Sequence, residues 1–219
     1  MENIYLNIKN IKKEVGDKIK LVSVTKSRSV EEIKKAYDAG ERDFGENKAQ
    51  EFLTKIKLLP NDISWHFIGS LQRNKVRQII EYTYLIQSVD RISLATEINK
   101  RAKNINKIQN ILIQINIGEE KSKKGCYLEN LDDLIRHLKS LDNIYTRGIM
   151  VIIPIGSLSE NKYYFNKTKQ IFDKLKKEES LNFKMEILSM GMSSDYKVAV
   201  DEGSNMIRVG QGIFGKRIY

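Results

Sequence analysis

The chain contains few of several residue types, and each shortage excludes a class of protein. Its 219 residues include one cysteine, Cys126, and two prolines. A single cysteine cannot form an internal disulfide or a cysteine-based zinc cluster, which agrees with a reducing cytoplasm. No apolar run approaches the roughly 20 residues of a membrane span, and the amino terminus lacks the segments of a secretion signal. We therefore expect a cytoplasmic protein without a membrane partner, an export signal or a metal site.

Positive charge is in clear excess. The chain carries 38 Lys and Arg against 28 Asp and Glu, a formal net charge of +10. Such a charge is typical of proteins that neutralise nucleic-acid phosphates. Here, however, lysines lie on nearly every predicted helix beside glutamates, as in the segment 31–35, which is typical of solvated faces. Because no recognition helix, RNA-binding aromatic signature or zinc finger accompanies them, we expect no nucleic-acid partner.

Apolar, β-branched runs alternate along the chain with amphipathic stretches, the pattern of repeated βα units. Strands are predicted at about 19–25, 42–46, 64–69, 84–89, 110–117, 145–152, 184–190 and 205–209. Helices are predicted at about 4–14, 30–39, 48–59, 73–81, 91–103, 128–141, 160–179 and 196–202. Eight such units favour an α/β fold with a closed (β/α)8 TIM barrel over an open doubly wound sheet. With no linker or repeat visible, residues 1–219 are predicted to form one domain.

Lys26 lies at the end of the first strongly apolar run, between the hydroxyl residues Thr25 and Ser27. Burial at the end of a strand can lower the pKa of a lysine by desolvation and make its free amine a nucleophile. An aldehyde-binding lysine needs that property. The segment taken alone favours the simpler interpretation, in which the ammonium extends from the barrel rim into solvent. The other residues at the same rim decide between the two.

Two turns of small residues follow the last two predicted strands, where barrels of this class often hold phosphate. The turn at 189–195 leads directly into a helix, and its backbone N–H groups and the hydroxyls of Ser193 and Ser194 could hold a phosphate dianion. The alternative is an ordinary helix cap, since Ser and Asp are preferred there. The turn at 207–215 contains Gly210, which permits close backbone approach to a ligand or simply forms a glycine-rich turn.

Barrel closure brings these features together, because the eighth strand pairs with the first. Lys26 then faces the same mouth as the Ser193 turn and the Gly210 turn. An amine beside a phosphate cradle suits a phosphorylated aldehyde. Pyridoxal 5'-phosphate (PLP) fits that description, with the lysine forming a Schiff base to its aldehyde carbon.

Six motifs occur in order along the chain. They are Val24-Thr-Lys26, Phe44-Gly-Glu-Asn-Lys-Ala-Gln-Glu51, Trp65-His-Phe-Ile-Gly-Ser-Leu-Gln-Arg-Asn-Lys75, Gly148-Ile-Met150, Ser189-Met-Gly-Met-Ser193 and Arg208-Val-Gly-Gln-Gly-Ile-Phe-Gly215. With these motifs the chain resembles the YggS/PROSC family of PLP-binding proteins, also called PLP homeostasis proteins, over essentially its whole length. That family in turn resembles the barrel domain of alanine racemase.

The resemblance implies a role for each matched residue. Lys26 would carry PLP as a Schiff base. The phosphate would be held by Ser193, Ser194 and the backbone at Gly210 and Gln211. The family often has threonine where this chain has Gln211, so a hydroxyl contact is lost while the backbone donor remains.

Three further residues complete the expected site. Arg208 matches the arginine that approaches the pyridine nitrogen in racemase-like barrels, where a permanently charged guanidinium favours an unprotonated ring and weakens it as an electron sink. Its alternative is a strand-end arginine in a surface salt bridge. Asn47 and His66 are expected to line the cofactor mouth or the barrel interior, and for His66 a buried histidine with a backbone partner is an equal alternative. Ser29 stands where the family pattern has proline, which leaves the rigidity of the Lys26 loop open.

The resemblance implies a non-enzymatic protein that binds PLP reversibly and buffers it or delivers it to PLP-dependent apoenzymes, and we expect it to be a monomer. A PLP-dependent amino-acid racemase is the alternative, and it needs two acid/base groups on opposite faces of the substrate. In alanine racemases the second group comes from another domain of the partner subunit. This chain ends at Tyr219, so we expect that domain to be absent, although ten tyrosines leave a replacement open. A basic module that binds nucleic acid or a partner is a third class, and its binding would weaken steeply with salt.

Overall fold

The computed structural model describes residues 3–216, so residues 1–2 and 217–219 of the predicted domain lie outside the described part. Within the described part, eight parallel strands close into a barrel in chain order. The strands are β1 (Lys20–Val24), β2 (Asp43–Glu46), β3 (Ser64–Phe67), β4 (Thr83–Val89), β5 (Gln109–Ile115), β6 (Ile144–Val151), β7 (Phe183–Ser189) and β8 (Met206–Val209). The predicted (β/α)8 TIM barrel is confirmed.

Helices connect the strands and cover the outside of the barrel. They are α1 (Ile4–Val15), α2 (Val30–Asp38), α3 (Ala49–Ile56), α4 (Arg73–Ile79), α5 (Ile92–Asn104), α6 (Leu131–Lys139), α7 (Leu158–Lys176), α8 (Tyr196–Asp201) and α9 (Gln211–Phe214). A 3-10 turn, Leu128–Asn130, precedes α6. Among the helices described for residues 3–216, none combines the length and apolar character needed to cross a bilayer.

Closure depends on β8, which pairs in parallel with β1. The register places Leu21 beside Ile207 and Val22 beside Arg208. The turns that follow β7 and β8 therefore lie next to the turn that follows β1, as the sequence predicts. All three turns lie at the carboxyl ends of the strands, the usual place for a functional site in this fold.

The strands alternate between two buried layers. Inward-facing residues of different strands meet in a small apolar cluster on the barrel axis: Val22, Leu85, Leu112, Met150 and Met206. Outward-facing residues pack against the helices, as where Trp65 of β3 contacts Phe52 of α3 edge-on with ring centroids 5.4 Å apart. Successive side chains of a strand point to opposite faces, so each barrel strand places alternate residues toward the axis and toward the helices, and both faces are buried.

Local sequence signals set two of the helix starts. Ser29 accepts a hydrogen bond from the backbone of Glu32, and Glu32 accepts one from the backbone of Ser29, which makes a capping box at the start of α2. Ser157 and Glu160 repeat that arrangement at α7. The α2 box begins three residues after Lys26, so it fixes the exit of the Lys26 turn.

Candidate functional site

A cavity of about 580 Å³ opens at the carboxyl ends of the strands. Seven of the eight residues predicted for the site line it: Lys26, Asn47, Ser193, Ser194, Arg208, Gly210 and Gln211. They come from the segments after β1, β2, β7 and β8 and from β8 itself. The barrel thus assembles in one place residues that are up to 185 positions apart in sequence (Lys26 to Gln211).

Lys26 and Ser27 are the two central residues of a β-turn that follows β1. The turn is closed by a hydrogen bond from the Arg28 N–H to the Thr25 carbonyl oxygen at 3.0 Å. Ser27 has a φ of 59°, in the left-handed region that non-glycine residues seldom adopt. The Arg28 guanidinium also donates to the carbonyl oxygen of Phe214 at 3.0 Å, so the turn is bound to α9.

Asn47 follows β2 and presents an unsatisfied polar atom. Its side-chain carbonyl oxygen is buried and has no hydrogen-bond partner among the described residues. The loop after β3 packs closely here, because a Cβ on Gly69 would lie 2.1 Å from the backbone oxygen of Asn47. A buried acceptor without a partner is costly, which makes Asn47 suited to accept a hydrogen bond from a ligand in the cavity.

Ser193 joins the two turns predicted to hold phosphate. Its hydroxyl oxygen accepts hydrogen bonds from the N–H groups of Gly210, at 3.3 Å, and Gly212, at 3.2 Å. Asp195 is the residue that caps α8 by position, and its carboxylate accepts from the N–H of Met192 at 2.6 Å. The turn is therefore shaped by Asp195, while Ser193 and two backbone donors converge at the cavity.

Arg208 projects from β8 into the barrel and is 3% exposed. Its guanidinium donates to Ser189 Oγ at 2.7 Å and to the carbonyl oxygen of Val151 at 2.8 Å. Burial lowers the pKa of Arg208 to about 10, partly offset by the charge of Asp195, so the group stays protonated at neutral pH. The alternative of a surface salt bridge is wrong, since no carboxylate within residues 3–216 forms an ion pair with Arg208.

His66 is not brought to the cavity. It is completely buried in the barrel interior, where Nε2 lies 2.9 Å from Asp43 Oδ1 and Nδ1 lies 2.9 Å from Gln87 Nε2. The predicted contact of His66 with a cofactor is thus replaced by contacts with two side chains, because His66 lies within β3 and faces inward. Burial lowers the pKa of His66, although Asp43 acts to raise it.

Several lining residues were not anticipated from the sequence: Ser70, Gln114, Lys123, Lys124 and Ile152. Gln114 is the one with a recognisable signal, a lone amide within the apolar run of β5. Its side chain donates to the carbonyl oxygen of Lys124 at 3.0 Å and so holds the loop after β5 against the barrel. Both lysines belong to a highly charged segment, 119–124, which in sequence is typical of a solvated loop.

The charge of the lining has one sign. Lys26, Lys123, Lys124 and Arg208 all contribute to it, and the described lining residues include no Asp or Glu. Four cations around one concave site create a positive potential that attracts anions. Together with the hydroxyl and backbone donors at Ser193 and Gly210, this arrangement suits a small, multiply charged anion.

Comparison with known proteins gives matches over nearly the whole chain. Residues 1–217 match the family model described as alanine racemase, N-terminal domain. The chain is 41% identical over 202 residues to the pyridoxal phosphate homeostasis protein of Aquifex aeolicus, covering 91% of this chain and 88% of that protein. It is 37% identical over 207 residues to the pyridoxal phosphate homeostasis protein of Escherichia coli, covering 93% and 88%.

Solved structures agree. PipY of Synechococcus elongatus, 32% identical, matches with a TM-score of 0.92 without PLP and 0.89 with PLP bound, covering 97% of this chain and 100% of PipY. An alanine racemase of Clostridium difficile, 19% identical, matches with a TM-score of 0.83 over 99% of this chain and 57% of the racemase, which demonstrates a shared fold alone. This chain belongs to the alanine racemase N-terminal domain family and, within it, to the pyridoxal phosphate homeostasis proteins.

Proposed function

We propose that this chain binds PLP in the barrel-mouth cavity, as a Schiff base on Lys26, and serves intracellular PLP homeostasis rather than catalysis. The observation that carries the proposal is the shared cavity itself. Lys26, a cluster of neutral hydrogen-bond donors around Ser193 and the buried Arg208 line it together, without a carboxylate among the described lining residues. PLP offers an aldehyde to the lysine, a phosphate to the hydrogen-bond donors and a pyridine ring to the arginine.

Each part of the cavity is matched to one part of PLP. Ser193, Ser194 and the backbone N–H groups at Gly210 and Gln211 would bind the phosphate, because these groups donate hydrogen bonds and lie in a positive field. Ser193 Oγ already marks the point where two backbone N–H groups converge. Because that oxygen already accepts two N–H groups, the hydroxyl of Ser193 would bind a phosphate oxygen as a donor.

The reacting group is the Lys26 amine. Its lone pair attacks the aldehyde carbon, the carbonyl oxygen leaves as one water molecule, and a carbon–nitrogen double bond joins protein and cofactor. The step needs no oxidant and is reversed by water. Bound PLP supplies a reactive imine and a ring able to accept electron density.

Arg208 limits what that ring is able to do. We propose that its guanidinium, held by Ser189 and Val151, faces the pyridine nitrogen and keeps it unprotonated. Asn47 would accept a hydrogen bond from the cofactor through its unsatisfied oxygen. His66 acts only indirectly, because its two ring nitrogens contact Asp43 and Gln87.

A carrier fits the lining better than a racemase does. Racemisation needs a second acid/base group opposite the lysine. The described lining residues include no Tyr, His, Cys or carboxylate, and of the two other lysines, Lys123 and Lys124, the first has its ammonium bound to the carbonyl oxygen of Ile153. The curated relatives reported above are named homeostasis proteins. We propose further that residues 1–219 form one domain, that the chain works as a monomer in the cytoplasm, and that PLP-dependent apoenzymes receive the cofactor.

Absorption spectra with added PLP test the proposal. Wild type should develop a visible band that borohydride reduction fixes covalently, with peptide mass mapping locating the label on Lys26. Lys26→Ala should lose both, whereas Lys121→Ala, an exposed lysine of the loop after β5, should keep both. A wild-type spectrum identical to that of free PLP would overturn the proposal, and rapid formation of D-amino acids by the loaded protein would favour the racemase.

A further inference from the structure

A buried ion cluster adjoins the Lys26 turn. Lys55 of α3 is 4% exposed, and its ammonium donates to Glu46 Oε1 and to Glu51 Oε1, both at 2.6 Å. Its third hydrogen bond goes to the backbone carbonyl oxygen of Thr25 at 2.7 Å. All three N–H donors of the ammonium are used, so its position is fixed in three directions.

The same cluster holds the turn through two further hydrogen bonds. Glu51 Oε1 accepts the N–H of Ser27, and Glu46 Oε1 accepts the hydroxyl of Thr25, both at 2.5 Å. Thr25 and Ser27 are the residues immediately before and after Lys26. The three charged groups therefore bind the backbone or side chain of both neighbours of Lys26.

The turn requires such support. Ser27 adopts a φ of 59°, a left-handed conformation that carries strain for any residue with a Cβ. Conformations of this kind persist where the surroundings over-determine them. No proline follows Lys26 to stiffen the chain. The bonds from Glu51 to the Ser27 N–H and from Lys55 to the Thr25 carbonyl supply that constraint.

We propose that Lys55, held by Glu46 and Glu51, is the positioning residue of Lys26. The cluster sets the backbone from which the Lys26 side chain enters the cavity before any ligand arrives, and a preorganised nucleophile reacts with less ordering cost. The inference rests on the proposed function in one respect, that Lys26 is the lysine that reacts with PLP. It adds two carboxylates and a second lysine, none of them lining the cavity, to the machinery of that reaction.

The first test needs no cofactor. Amide hydrogen exchange of Ser27 should be at least tenfold faster in Lys55→Met than in wild type, because the hydrogen bond to Glu51 loses its anchor. Lys107→Met is the matched control. Lys107 is another partly buried lysine, whose ammonium donates to the carbonyl oxygens of Ile80 and Thr83, remote from the turn. It should leave Ser27 exchange unchanged while also lowering stability.

The second test uses PLP. Lys55→Met should weaken PLP binding at least tenfold and shift the pH midpoint of the visible band, a readout that a loss of stability alone does not move. Lys107→Met should change neither. If Lys55→Met does not fold, Glu51→Leu is measured in the same ways, since Glu51 is partly exposed and its loss removes the acceptor of the Ser27 N–H.

Unchanged Ser27 exchange, PLP affinity and pH midpoint in a folded variant would overturn the role of Lys55. That result differs from failure of the proposed function, which would appear as a wild type without any reducible adduct. In that case the Ser27 exchange rates alone decide whether the cluster fixes the turn.

Discussion

Arg208 and Asp43 are the two ends of one directed chain of hydrogen bonds through the barrel interior. Arg208 donates to Ser189, whose hydroxyl donates to Gln87 Oε1 at 2.7 Å. The Gln87 amide donates to His66 Nδ1, and His66 Nε2 donates to Asp43 Oδ1. Because a guanidinium only donates and a carboxylate only accepts, the two ends fix the direction of every bond between them.

Removing the Ser189 hydroxyl should break this chain next to the cavity. Ser189→Ala leaves one Arg208 N–H and the Gln87 carbonyl oxygen without partners, so the free energy of unfolding should fall by about 1–3 kcal/mol. PLP affinity should fall as well, since the guanidinium is then free to turn from the ring. Urea unfolding and PLP titration measure the two effects.

The control for Ser189→Ala is Ser204→Ala. Ser204 is also buried, and its hydroxyl lies 2.7 Å from the carbonyl oxygen of Met190, outside the chain of bonds. It should lose similar stability and keep PLP affinity. Equal PLP affinities in wild type and Ser189→Ala would mean that the chain does not orient Arg208 for binding.

His66 should remain neutral well below the pH at which an exposed histidine protonates. Its Nδ1 accepts from Gln87, and burial lowers its pKa. Burial alone would raise the pKa of Asp43, but the hydrogen bonds from His66 and Lys20 lower it on balance. Nitrogen-15 spectra of the two histidines should therefore show an Nε2–H tautomer for His66 that persists below the ordinary histidine pKa of about 6.5.

The lowered pKa of His66 makes the free energy of unfolding depend on pH. Below the ordinary histidine pKa of about 6.5, the unfolded chain binds a proton that native His66 does not, so the free energy of unfolding falls by up to about 1.4 kcal/mol per pH unit from this group. The loss begins near pH 6.5 and continues until the lowered native pKa is reached. His66→Gln should flatten this slope and His137→Gln should keep it. Protonation of native His66 at pH 6.5 would contradict the argument.

Ser193 should contribute to PLP affinity only through the phosphate group. Ser193→Ala removes a hydroxyl that lies between two backbone donors, and a hydrogen bond to a charged group contributes about 1.5–3 kcal/mol. PLP affinity should therefore fall roughly 10- to 100-fold. Affinity for pyridoxal, which lacks the phosphate, should stay the same. An equal loss of affinity for PLP and for pyridoxal would mean that Ser193 does not act through the phosphate.

The barrel was predictable because its strands are separate β-branched runs with a consistent period. The short helix α9 was not, since Gly210 and Gly212 are typical of a turn and the helix depends on burial of Ile213 and Phe214. The helix predicted at 128–141 begins instead as a 3-10 turn. Both differences lie where tertiary packing outweighs local preference.

The site was predictable where position along the chain is enough. Lys26 and Asn47 follow strand ends, so barrel topology alone places them at the mouth. His66 belongs to a motif of the same kind but lies inside a strand, and its inward direction depends on the register of β3. Lys55 could not be recognised, because a lysine in an amphipathic helix is usually solvated and its burial depends on Glu46 of another element.

Cys126 should be unreactive in the native protein. Its side chain is buried, and burial, together with the charge of Asp90, raises the pKa of the thiol to about 11. At pH 8 only about a thousandth of the thiol is then ionised, and the thiolate is the reacting form.

A thiol-specific reagent should therefore label native wild type at least a hundredfold more slowly than Ser159→Cys, whose new thiol lies at an exposed position. Labelling of both proteins should be complete once they are unfolded in about 6 M guanidinium chloride. If native Cys126 reacted as fast as the exposed thiol, its segment would have to separate from β5 in the resting protein, breaking the backbone hydrogen bonds that Cys126 forms with Gln114 and Asn116.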